Sequence, residues 1–142
     1  MHQFGIAPDM IKGPLEANQV FVFGSNQRGR HGAGAALFAH QCYGALEGQG
    51  YGLQGQSFAV PTKDMWIKTL PIAFVQNNIR IALREMLHDT SHVWIWSAVG
   101  CGLAGLTTED VVVPFMEVLP EAKHDHILLP RRYLDTMQRL RQ

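Results

Sequence analysis

The sequence predicts an α/β fold: a three-layer α/β/α arrangement around a mixed, largely parallel central sheet. Three observations carry this. Short apolar runs of strand length recur along the chain. Each is followed by a polar or glycine-rich loop, and the segments after the loops place apolar residues three to four apart. Strand, loop and helix in this order, four times over, call for parallel pairing with helices on both faces.

The elements follow in order. Residues 1–18 are expected to be irregular, broken by Gly5, Pro8, Gly13 and Pro14, a tail that either wraps the domain or is partly mobile. Val20–Phe23 is apolar at every position, as a central strand covered on both faces would be. Residues 24–34 (GSNQRGRHGAG) form a loop, and the pattern from Ala33 to Gly44 is helical. Residues 44–56, with five glycines, are expected to be a flexible loop. Ser57–Val60 is the second strand, stopped by Pro61. After a polar loop over 62–70, Pro71 opens a helix to about His88, with Ile72, Val75, Ile79, Leu83 and Leu87 on one face. Val93–Val99 is the clearest strand, running into GCGLAGL at 100–106. Thr107 or Thr108 caps a helix to about Leu119, with Glu109 and Asp110 in its first turn. A short strand at His126–Leu129 and a helix from Pro130 complete the chain.

Composition narrows the function classes. A chain of 142 residues is one domain's worth, so a single domain over 1–142 is expected. With 46% apolar and 17% charged residues it is globular rather than disordered. Twelve basic against twelve acidic residues give no basic excess to displace counterions from DNA. No apolar run approaches the roughly 20 residues of a membrane helix, and residues 1–13 lack the pattern of a secretory leader. Cys42 and Cys101 make no disulfide framework or zinc motif, and the seven histidines are scattered. The expectation is a cytoplasmic protein with no membrane contact, metal or cofactor.

Chemistry is expected where parallel strands end. The loops after the first three strands would share one sheet edge, and two of them are glycine-rich and lead into helices. Amides at such helix starts form an anion site, and glycine lets backbone approach a phosphate closely. Two of these loops face to face would grip a diphosphate from both sides. The common nucleotide fingerprints are missing: there is no GxxxxGK[ST], residues 29–34 do not read GxGxxG, and no GxSxG elbow occurs.

HGAGAALF at 31–38, PTKD at 61–64 and GCGLAGL at 100–106, in this order, resemble the macrodomain superfamily, in particular its terminal ADP-ribose protein glycohydrolase branch. The likeness covers Val20 to about Leu129, and FGSN at 23–26 with GRHGAGAA at 29–36 is similar to a subgroup of phage and bacterial proteins. It implies a macrodomain-like fold that binds ADP-ribose or a related nucleotide and hydrolyses an ADP-ribosyl linkage at the distal ribose. ADP-ribosylated protein or nucleic acid would be the partner. The resemblance puts Gly32, Ala33, Gly34 and Ala35 against the distal ribose and diphosphate, and Asn26, with Ser25 beside it, facing that ribose. Gly100, Cys101, Gly102, Leu103, Ala104, Gly105 and Leu106 would form the second phosphate loop. Lys63, next to Thr62, matches the branch's catalytic lysine, which attacks the anomeric carbon. The branch has a catalytic aspartate directly after its GCGL, where this chain has Ala104; Asp64 is the candidate substitute. Without that aspartate, a non-catalytic ADP-ribose or NAD-derivative binder is the alternative reading, and a nucleic-acid-binding module the third.

Several side chains read two ways. Lys63 contacts ligand or pairs Asp64 at the surface, and His31 bonds ribose or phosphate or caps the helix. Arg28 and Arg30 clamp a phosphate bidentately or stay solvated. Cys101 is an activated nucleophile or a small packed side chain. Trp66 stacks on ligand or sits at the rim, while Trp94 and Trp96 read as core or rim aromatics; Met65 and Met86 read as packing residues. Asp9 is a candidate for the adenine pocket, and the arginines of the last helix form a solvated face.

Overall fold

The computed structural model describes residues 3–9, 11, 13–120 and 124–142. Residues 1, 2, 10 and 12 of the segment expected to be irregular lie outside the described residues. The elements are β1 (Gly5–Ile6), β2 (Gln19–Asn26), α1 (Gly34–Cys42), β3 (Gly52–Gln54), β4 (Ser57–Lys63), α2 (Ile72–His88), β5 (Val93–Trp96), α3 (Thr108–Val111), α4 (Val113–Val118), β6 (Ile127–Leu129) and α5 (Arg131–Leu140). The strands form one sheet in the order β1-β6-β5-β2-β4-β3, parallel throughout except for the antiparallel β3–β4 pair. The fold is α/β with a mixed, mostly parallel sheet between helical layers. No helix among the described residues is long and apolar enough to cross a membrane.

The two faces of β2 sort the core, because alternate side chains point oppositely. Phe21 and Phe23 pack with Ala59 against Ala36, Ala39 and Tyr43 of α1 and its C-terminal end. Val20 and Val22, with Phe58, Val60, Trp94 and Trp96, pack against α2, α3, α4 and α5. The layers are therefore unequal, one helix against four. The deficit on the α1 face is filled by the N-terminal segment, whose Ile11 and Leu15 pack beside α1. Gly13 O accepts from the Tyr43 hydroxyl at 2.9 Å.

Several boundaries differ from the sequence expectation. β4 runs through Pro61 instead of stopping there. β3 pairs with β4 only as far as Ala59 and the next outer contact is the Lys63–Thr69 bridge, so at Pro61 no outer strand misses the proline's absent N–H. β5 ends at Trp96 rather than Val99: Ser97 turns back, its amide and its hydroxyl both donating to Val22 O. The helix expected over 107–119 breaks at Val112. Pro114 has no N–H for Asp110 O, and that carbonyl instead accepts from Gln76 Nε2 at 2.8 Å. Thr107 is its cap, accepting from Asp110 N. β1 and β3, two and three residues long, were not expected at all.

The 44–56 segment is not a loose loop. Its backbone lies against the turn after β2: Gly48 N donates to Gly29 O at 2.8 Å, and the Ser25 hydroxyl donates to Gly50 O. A Cβ on Gly29 would stand 2.4 Å from Gly48 backbone, and one on Gly50 would stand 2.2 Å from Asn26 O. Glycine at these positions is what allows the two chains to touch.

Candidate functional site

β2 lies between β4 and β5, and the chain leaves β2 and β5 toward opposite faces, into α1 and α3. Such a divergence opens a crevice at the C-terminal ends of the strands. The crevice is a cavity of about 560 Å³, within the usual range for a small-molecule site. The ends of β2 and β4, the start of α1, the turn after β5 and Ile67 line it.

The first wall is Gly32–Ala36. Gly34 opens α1 at φ 59°, Ala33 offers no side-chain cap, and the first intrahelical bond is Leu37 N to Ala33 O. The amides of the first turn, which stands at the cavity wall, thus have no acceptor inside the helix. The opposite wall is Ser97–Gly100 with Gly102–Ala104. Within that turn the amides of Val99, Cys101, Gly105 and Leu106 are taken up by Ser97, Ala98, Gly102 and Gly100 carbonyls. The amides of Gly102, Leu103 and Ala104 find no acceptor among the described residues. The walls approach closely: a Cβ on Gly34 would lie 3.1 Å from Leu103 Cδ1, and one on Gly24 would lie 3.7 Å from Gly100 N.

The third wall is Thr62, Lys63 and Ile67. Lys63 is half-buried, its carbonyl accepting from Gln27 N. The turn beyond it is held by Asp64, whose Oδ1 accepts from Trp66 N at 2.8 Å and Lys68 N at 3.0 Å. Thr69 ties this turn across to Ala104 O at 2.9 Å. Ile67, one of the lining residues, adopts φ 62°, a left-handed conformation that is an outlier for a β-branched residue. Among the described residues the cavity's charged lining is Arg30 and Lys63, both cationic, with no carboxylate.

The structure brings together Ser25, Asn26, Gly32, Ala33, Gly34, Ala35, Thr62, Lys63, Gly100, Gly102, Leu103 and Ala104. It does not bring the other candidates to the wall. Asp64 serves its own turn. Arg28 lines a neighbouring cleft. His31 is 1% exposed and packed edge-on to Phe23, neither capping α1 nor reaching the cavity. Cys101 turns toward Thr108 Oγ1 at 3.7 Å, and Gly105 and Leu106 close the turn behind the wall. Asp9 is exposed outside the cavity, as is Trp66 at 77%. Met65, expected to pack, is also exposed, whereas Met86, Trp94 and Trp96 are core. The Asn26 amide bonds both backbone groups of Arg30, at 2.8 and 3.0 Å, so it holds the loop.

Sequence reading missed Gly24, Ala36, Ile67 and Ser97–Val99 as wall residues. The signal for Ser97–Val99 was position alone, since small residues directly after a parallel strand lie at the ligand edge. Nothing local announces Ile67. Among the described residues no group of three His, Cys, Asp or Glu could hold a metal ion. No family model, curated protein or solved structure matches the chain.

Proposed function

We propose that the chain binds ADP-ribose, or a derivative with the same pyrophosphate-linked sugars, in this cavity. One observation carries the reading: the uncapped start of α1 and the amide-bearing turn 102–104 face one cavity whose charged lining is Arg30 and Lys63 alone. Amides, a helix N-terminus and two cations select an anion, and their placement on two sides suits a diphosphate. The small side chains of Gly32–Ala36 leave room for a sugar. This agrees with the macrodomain resemblance of the motifs at 31–38, 61–64 and 100–106, and makes a macrodomain-like fold the reading of this sheet.

Recognition is better supported than turnover. At position 104 the wall offers a methyl group, and Asp64 is committed to its turn. Arginine is a poor nucleophile because its guanidinium stays protonated, which leaves Lys63 as the one lining amine among the described residues. The second reading is hydrolysis, favoured by that lysine at the wall. Its neutral amine would bond the anomeric carbon as the linkage breaks, the departing carboxylate keeping the electron pair and the nitrogen losing a proton to water. Water would then release the sugar and restore the amine.

Calorimetry with ADP-ribose, AMP and NAD tests the reading. ADP-ribose should bind roughly tenfold or more tighter than AMP, whose single phosphate can engage one wall only. Silence with all three ligands removes the proposal. Incubation with ADP-ribosylated protein then separates binder from hydrolase. Should product form, Lys63→Ala is expected to abolish turnover while sparing most binding; turnover unchanged in that variant refutes the lysine's role.

A further inference from the structure

Among the described residues, Ile67 is the one residue other than glycine with a left-handed backbone, at φ 62°. The chain reverses there within three residues, Met65 to Ile67. Ile67 N donates to Asp64 O at 3.1 Å, and Asp64 N donates to Lys68 O at 2.7 Å. A bridge between Lys63 and Thr69 closes the hairpin. The left-handed last position of such a loop suits glycine or asparagine, which bear it at little cost. A β-branched side chain there is strained.

Nothing in the hairpin itself calls for isoleucine. Backbone bonds build the turn, together with Asp64 Oδ1, which takes the amides of Trp66 and Lys68. Ile67 packs into neither apolar core, and Met65 and Trp66 beside it are exposed. Strain that brings no return in core packing marks a functional position. Ile67 is half-buried, and what it lines is the main cavity, on the wall that it shares with Thr62 and Lys63.

The walls of that cavity differ in chemistry. The start of α1 and the turn 102–104 offer amides, which suit phosphate oxygens. The third wall offers an aliphatic branch beside an ammonium group. Such a branch has nothing to give a phosphate, but it gains by covering the C–H face of a sugar. We propose that Ile67 is the specificity-determining residue of the cavity: its side chain packs on the terminal ribose and so separates ADP-ribose from a bare nucleoside diphosphate. This rests on the ADP-ribose reading above, which brings that ribose to Lys63.

Calorimetry with ADP-ribose and with ADP, which keeps the diphosphate and lacks the terminal ribose, tests this alongside urea unfolding. In Ile67→Asn and Ile67→Gly, ADP-ribose should bind roughly tenfold more weakly, the worth of one aliphatic contact, and ADP should bind as before. Both variants should unfold at or above the parent's urea midpoint, because the new residue accepts a left-handed backbone. Ile67→Val, which keeps the branch, should retain most of the ADP-ribose affinity. If the parent binds ADP-ribose and Ile67→Asn binds it equally well, the role of Ile67 is overturned and the cavity reading stands. Equal losses for the two ligands, or a midpoint below the parent's, also overturn it, since Ile67 would then support the turn rather than touch the sugar. If the parent binds neither ligand, the cavity reading falls and takes this inference with it.

Discussion

Two glycines show how a single missing Cβ shapes this site. Gly29 and Gly48 both have positive φ, at 74° and 92°. A Cβ at Gly29 would meet backbone at 2.4 Å, whereas one at Gly48 meets nothing within 4 Å. Gly48→Ala then carries only left-handed strain, on the order of 1 kcal/mol. Gly29→Ala adds a backbone clash that no side-chain rotation relieves, and its cost should reach about 3 kcal/mol. Urea unfolding of the two variants checks this: the midpoint should drop several times further for Gly29→Ala, at unchanged slope. Equal midpoints would mean that strap and loop are not in contact. Of the residues at this scale, the glycine motifs and Lys63 were legible because composition marks them. Arg28, His31 and Asp64 lie off the cavity wall, in a neighbouring cleft, in the core and in their own turn, because a loop's polar side chain can serve its own backbone, the core or a ligand, and sequence does not say which.

Among the elements, α5 reaches the site from behind. Tyr133 is fully buried, and its hydroxyl donates to Val99 O at 2.6 Å, fixing the turn that follows β5. Burial pushes that phenol well above its usual range, so it stays a donor at any working pH. Tyr133→Phe removes the donor and leaves a buried carbonyl unpaired, at a cost of about 1–3 kcal/mol. Because Val99 lines the cavity, ADP-ribose affinity should fall as well; calorimetry on the folded variant reads it, and an unchanged affinity at reduced stability would confine Tyr133 to the core. Element existence was largely legible, since short apolar runs mark β2, β4 and β5 and three-to-four spacing marks α2. Their ends were not. β4 passes through Pro61 because β3 stops short of it, and the 107–119 helix breaks because Pro114 has no N–H for Asp110 O, which Gln76 of α2 takes instead. Both outcomes depend on a neighbour far away in sequence.

For the molecule as a whole, the unequal layers make the N-terminal segment part of the fold. Phe4 packs edge-on against Phe115 at 5.9 Å, inside the larger core. Gly5 and Ile6 then cover β6, and Ala7 N donates to Leu129 O at 2.8 Å. Further on, Ile11 and Leu15 close the α1 face, and Gly13 O takes the Tyr43 hydroxyl. One irregular segment thus joins both faces across a sheet edge, the wrapping alternative of the two that its sequence left open. Deleting residues 1–16 would uncover the β6 edge and the Phe21–Tyr43 cluster together. Stability should fall by on the order of 3 kcal/mol or more, and the bare edge should drive self-association that rises with concentration. Denaturant unfolding and sedimentation would show both. The described part of the segment, residues 3–9, 11 and 13–16, contributes nothing to the cavity wall. The fraction of truncated chain that remains folded and monomeric should therefore bind ADP-ribose with near-native affinity. Lost affinity in that fraction would show that the sheet edge and the ligand rim are coupled, whereas an unchanged midpoint would show that the segment rests on the fold without supporting it.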